Sequence, residues 1–201
     1  HRLGRELGLA LTRLGFRAIV ADTDYALVRE ARMAGLETFF GNVVSKEADR
    51  RLDLVGVGYL LAMSPYPELN ALAAVRYQRE FGRGNVYVVL TPEEVAKKGQ
   101  QVADPRYARL LAGKEAGLAE LLALFERGAK IYATRLSEAF AFEAYQEQFS
   151  GRGNLLLAID AKGRLQGVGP EFTSRPGPDW YLLGLYLPVE GEKGKVAGAS
   201  A

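Results

Sequence analysis

From residue 2 to residue 90 the chain alternates between short apolar runs and longer segments of helical periodicity. The runs at 16–21, 37–40, 59–63 and 86–90 are the length of strands, not of helices. Between them, residues 2–14, 25–34, 46–53 and 68–81 read as helices. In the first of these Leu3, Leu7, Leu9, Ala10, Leu11 and Leu14 form a broad apolar face. Gly15 and Gly35 stand just past two helix ends, where the backbone turns left-handed. Strand and helix in strict alternation call for a parallel sheet covered on both faces and linked by right-handed crossovers.

Beyond Thr91-Pro92 the pattern changes. Residues 93–105 are polar and loop-like, 107–127 hold a helical period closed by Gly128, and 130–136 alternate as a strand. A helix is expected over 138–149, then antiparallel strands over 154–160, 164–168 and 180–187, with Ala161-Lys162-Gly163-Arg164 as a hairpin turn. The expected class is α/β. A Rossmann-like nucleotide-binding domain spans residues 1–92, a helical linker and small α+β domain span 93–188, and a Gly/Lys/Glu-rich tail, 189–201, is expected to be disordered. A Rossmann sheet is built outward from its first strand, and that strand is absent from the sequence, so residues preceding His1 are expected.

Composition narrows the chemistry. Lys and Arg number 26 against 24 Asp and Glu, and no basic stripe interleaves with aromatics, so nothing favours nucleic acid. Cysteine is absent and His1 is the single histidine, which removes thiolate catalysis, cysteine zinc sites and histidine metal clusters. No metal is expected. No uncharged apolar run approaches the roughly 20 residues of a membrane helix.

The candidate site lies where strands meet the helices that follow them. Arg2, Leu3 and Gly4 open the first helix, whose free N–H groups, with the charge of Arg2, suit a phosphate. Gly4 also reads as an ordinary glycine near a helix start. Asp22, followed by Thr23, ends the second apolar segment and is placed to accept both ribose hydroxyls of an adenosine. It would also repel a 2′-phosphate. Asp22 reads alternatively as a helix cap, a role Asp24 can fill. Gly41, Asn42 and Val43 follow the next run and would face the adenine, or serve as a plain turn. Ser64 falls at the carboxyl edge of the following run, or is simply a turn former before Pro65. No Tyr-x-x-x-Lys pair, Gly-x-Ser-x-Gly elbow or Gly-Lys-Ser/Thr loop occurs. A bound nucleotide is therefore expected to act as a signal and not as a reactant, and no catalytic residue is assigned.

Taken together, Leu3-Gly4, Val20-Ala21-Asp22-Thr23-Asp24, Phe39-Phe40-Gly41-Asn42 and Leu60-Leu61-Ala62-Met63-Ser64-Pro65 resemble the TrkA-N domain, also called RCK. The form they look most like stands behind the membrane domain of bacterial monovalent cation:proton antiporters. Residues 129–138 and Pro176-Gly177-Pro178-Asp179-Trp180 resemble that form's C-terminal extension. The resemblance implies a cytoplasmic regulatory domain at the inner membrane that binds NAD(H) or AMP, ADP or ATP. It also implies a homodimer and a transmembrane antiporter domain in the same polypeptide. The alternatives are a gating module of a potassium channel or Trk-type uptake system, and a fragment of a NAD-dependent oxidoreductase. One departure is chemical: His1 holds a position where the fingerprint has glycine, and a side chain there narrows the approach of a pyrophosphate.

Overall fold

A computed structural model describes residues 1–97, 104–113 and 116–189. It is mixed α/β, with parallel strands and helices first and an antiparallel sheet after them. The expected tail beyond Val189 lies outside the described residues, as do parts of the expected loop over 93–105 and of the expected helix over 107–127.

Helix α1 (Arg2–Arg13) turns the apolar face anticipated from its spacing into the core, with Leu3, Leu7 and Leu11 buried. Strands β1 (Ile19–Asp22) and β2 (Glu37–Phe40) flank α2 (Tyr25–Met33) and pair in parallel, Ile19 with Glu37 through Asp22 with Phe40. After α3 (Lys46–Arg51) come β3 (Leu60–Ala62), α4 (Pro67–Phe81) and β4 (Val86–Val88). β3 and β4 pair in parallel, and β5 (Arg109–Leu110) adds to β4 on the far side.

The two parallel ladders do not join. β1 and β2 form one sheet, and β3, β4 and β5 form another. The chain winds outward from β1 to β2, then crosses back to β3 and winds outward in the opposite direction. The seam between β1 and β3 holds no strand among the described residues. Burial records the seam. β4 is wholly buried, whereas all of β1 and two of the three residues of β3, Leu60 and Leu61, are only partly covered.

Two expected segments differ. Residues 93–105 do not begin as a loop: α5 (Pro92–Ala96) starts at a capping box. The Thr91 hydroxyl accepts the Glu94 N–H, while the Glu94 carboxylate accepts the Thr91 N–H at 2.9 Å. Thr-Pro-Glu-Glu carries that signal in the sequence. Nor is 107–127 one helix. It divides into β5 and α6 (Leu118–Glu126), because the edge of β4 recruits Arg109 and Leu110. The helix then starts after Gly117, where a Cβ would stand 2.7 Å from Val95 and 2.9 Å from the Leu90 carbonyl oxygen.

The C-terminal part holds β6 (Lys130–Arg135), α7 (Phe142–Phe149), β7 (Gly153–Ile159), β8 (Leu165–Gly167) and β9 (Tyr181–Tyr186), in the antiparallel order β6-β9-β7-β8. One apolar cluster joins α1 and α6 to strands β7 and β9 through Leu7, Leu121, Leu157 and Leu183. α7 seals the other face of that sheet with Tyr145 and Phe149.

Candidate functional site

The carboxyl ends of β1, β2 and β3 meet the start of α1 beside the seam. Asp22 is the last residue of β1, and its carboxylate is about one quarter exposed (27%). One oxygen accepts the Asp24 N–H at 3.0 Å, and the other lies 3.4 Å from the amino group of His1. Asp24 does the capping: its side chain accepts the Ala26 N–H at 2.8 Å. Asp22 is therefore not consumed by α2 and retains acceptor capacity toward solvent. Thr23 beside it is exposed.

His1 spans the seam. Its amino group faces Asp22 on β1, its Nε2 lies 2.7 Å from the Met63 carbonyl oxygen just past β3, and its Nδ1 accepts the Gly4 N–H at 3.3 Å as the N-cap of α1.

The remaining predicted residues divide. Gly4 lies at this mouth, and a Cβ there would meet nothing closer than Met63 at 3.7 Å. Packing therefore does not require glycine at position 4. Leu3 is wholly buried, so only its backbone can serve a ligand. The guanidinium of Arg2 sits 5.6 Å from the centre of the Phe125 ring, which directs it toward α6 and away from Asp22. Gly41 donates its N–H to the Asp22 carbonyl at 2.9 Å, joining the tips of β1 and β2. At φ +143°, with a Cβ that would stand 3.2 Å from the Phe39 ring, position 41 demands glycine. The Asn42 side-chain Oδ1 accepts the Val44 N–H at 2.9 Å, which fixes a turn and leaves the side-chain amide nitrogen to point elsewhere. The Val43 carbonyl accepts the Tyr77 hydroxyl at 2.9 Å.

Ser64 is held from below. Asn70 of α4, 3% exposed, accepts the Ser64 N–H and donates to the Ser64 carbonyl, both at 2.9 Å. The Ser64 hydroxyl in turn accepts the Tyr66 N–H at 3.1 Å. Asn70 is a positioning residue that the spacing did not single out. Its signal was an amide on the otherwise apolar face of α4. Gly8 is another. A Cβ at Gly8 would stand 3.3 Å from Leu36 and 3.4 Å from Val20, so this glycine brings α1 close against β1.

A separate cleft of about 680 Å³ opens at the other end of β1, lined in part by Leu14, Phe16, Arg135, Asp160, Asp179 and Tyr181. Its acids are already paired, Asp179 with Arg135 and Asp160 with Arg164, each at 2.7 Å. None of the predicted site residues lines it.

No family model matches the chain, and no curated protein matches it. Among solved structures it is similar to the crystal structure of the GsuK RCK domain, at 10% identity and TM-score 0.29, covering 83% of this chain and 43% of that one. It is also similar to the GsuK channel bound to NAD, at 11% identity and TM-score 0.36, with 84% and 31% covered. A further structure of the GsuK channel aligns at 10% identity and TM-score 0.30, with 83% and 35% covered. The chain spans less than half the length of each. At these scores the likenesses carry no weight for what this chain binds. No helix among the described residues is long and apolar enough to cross a membrane.

Proposed function

We propose that the seam between β1 and β3 is the mouth of a nucleotide site in a regulatory domain. The observation that carries this reading is the convergence of Asp22, the N-terminus of α1 and Ser64 at the carboxyl edge of parallel strands, where the winding reverses. Open α/β sheets take ligands at such a point. Asp22 would accept ribose hydroxyls, and its charge disfavours a 2′-phosphate. The first N–H groups of α1 would face phosphate. The Asn42 amide nitrogen would reach the base. Of the ligands implied by the resemblance, NAD(H) and AMP, ADP or ATP, a mononucleotide needs less of the space that the His1 side chain fills.

The same reading makes the ligand a signal. The residues at this edge bind and orient, and none is matched to a proton transfer. By its resemblance the domain would serve a bacterial cation:proton antiporter at the cytoplasmic side of the inner membrane. A ligand can shift such a partner only through different affinity for two arrangements of the domain.

Titration calorimetry with NAD, NADH, ATP, ADP and AMP tests the site. At least one ligand is expected to bind, and Asp22→Ala is expected to weaken it about tenfold or more, since hydrogen bonds to a charged group contribute about 1.5–3 kcal/mol. Binding by none, or undiminished binding by Asp22→Ala, would overturn the assignment.

A further inference from the structure

Strands β6, β9 and β7 set Arg135, Tyr181 and Ile159 directly opposite one another. Residues opposed in this way share one face of a sheet. The row is the last on the face that α1 covers, with Leu183 and Leu185 further along β9 in the same apolar cluster as the helix. The helix stops short of it: α1 ends at Arg13, and Gly15, at φ +87°, turns the chain away. The end of the sheet is left uncovered, and the cleft of about 680 Å³ opens there, with Leu14 and Phe16 also in its wall. Small-molecule sites run from roughly 300 to 1,000 Å³ and combine apolar walls with a few polar groups.

Charge in this cleft is balanced, and part of it is unspent. Asp160 is consumed by its turn, where it accepts the N–H groups of Lys162 and Arg164 at 2.9 Å each and the Arg164 guanidinium. Asp179 is not consumed. Its Oδ1 accepts from Arg135, and its other oxygen has no hydrogen-bond partner among the described residues. Arg135 gives Asp179 one nitrogen of its fork, and its guanidinium lies 5.9 Å from the centre of the Tyr181 ring. The two side chains are 60% and 63% exposed, where an ion pair contributes little to stability. Asp179 also holds φ +65°, a backbone that glycine adopts at less cost. Stability thus gives no reason for an acid at position 179. A free carboxylate oxygen beside free guanidinium N–H groups, at the edge of an apolar cleft, does.

We propose that this cleft is a second ligand site, suited to a small zwitterion with an apolar group, as in an α-amino acid with a large aliphatic or aromatic side chain. Its carboxylate would take the remaining N–H groups of Arg135. Its ammonium would lie against the free oxygen of Asp179, near the C-terminal end of α1, whose partial negative charge favours a cation. Its side chain would cover Leu14, Phe16 and Ile159. An ion of one sign fits less well, since it would meet its own charge on one member of the pair. The site stands at the other end of β1 from Asp22 and does not depend on a nucleotide there.

NMR titration of the isotope-labelled chain, read at the amides of Gly15, Gly163 and Tyr181, provides the test. The probes are L-leucine and L-phenylalanine, each beside the analogue that lacks its carboxylate and the analogue that lacks its ammonium. At least one amino acid is expected to shift these amides saturably, with Kd in the millimolar range or tighter. Its two analogues are expected to bind about tenfold more weakly or worse, as are Arg135→Gln and Asp179→Gly with the amino acid itself. Asp179→Gly is expected to melt within about 2 °C of the parent, which separates its loss of binding from any loss of fold. No saturable shift with either amino acid overturns the proposal. So does an analogue that binds as tightly as its amino acid, or unchanged affinity in either variant.

Discussion

Asn70→Ala removes a buried side-chain amide whose partners among the described residues are the two backbone groups of Ser64. Each hydrogen bond contributes a net 0.5–1.5 kcal/mol or so, and a group left unpaired in the interior costs about 1–3 kcal/mol. Ser64 is half-buried, so water can reach part of what is vacated. The two bonds together with one incompletely solvated backbone group give about 2–3 kcal/mol. For a chain of this size that is a fall in Tm of roughly 4–12 °C. Asn70→Asp sharpens the prediction. Its carboxylate can still accept the Ser64 N–H, but its second oxygen confronts the Ser64 carbonyl with no proton to offer. At neutral pH it should therefore be no more stable than Asn70→Ala, and it should recover as the pH drops and the carboxyl gains a proton. Urea unfolding of the three proteins at pH 7 and pH 4 measures this. An alanine variant within about 0.5 kcal/mol of the parent, typical of surface changes, would refute the role given to Asn70. A pH-independent aspartate variant would refute the donor geometry.

Gly169→Ala should destabilise strongly, because its Cβ would stand 2.0 Å from the Leu110 carbonyl oxygen, whereas Gly177→Ala meets nothing within 4 Å. A loss of about 3 kcal/mol or more is expected for the first and under about 0.5 for the second, read from denaturant midpoints. The hydroxyls of Tyr145 and Tyr186 lie 3.0 Å apart in the core behind α7. Burial, with the neighbouring Tyr186, holds the Tyr145 phenol well above its ordinary value of 10.0, and burial raises Tyr186 against the hydrogen bond from Tyr145. Because the folded values are raised, stability is fully present below pH 10 and declines as the pH rises above it, by up to about 1.4 kcal/mol per pH unit for each group. Tyr145→Phe should flatten that decline in alkaline urea titrations, and an unchanged slope would remove Tyr145 from the account.

Local signals carried most of the fold. The run Glu-Thr-Phe-Phe became β2 at the residues its pattern marked, and Gly15 and Gly35 closed their helices with positive φ. Asp24 capped α2, as its spacing allowed, and left Asp22 at the strand tip. What escaped reading depended on partners distant in sequence. Arg109 and Leu110 lie in a stretch whose spacing reads as helical, yet they pair with Tyr87 and Val88 because β4 offers an open edge. The destination of the Arg2 side chain was fixed by Phe125, 123 positions later, which no local pattern contains. The clamp of Asn70 on Ser64 depends on how α4 folds back over β3.

The open seam has a consequence for how the molecule breathes. Two ladders that share no backbone hydrogen bonds among the described residues can loosen independently, held by side-chain packing and by whatever spans them. Amides of β1, whose residues are only partly covered, are expected to exchange sooner than those of the wholly buried β4. Those between β3 and β4 exchange only when that sheet comes apart. The domain's softest line thus runs beside Asp22 at the tip of β1 and the loop that Ser64 opens after β3. Any molecule that engages both would tie the β1–β2 ladder to the β3–β4–β5 ladder.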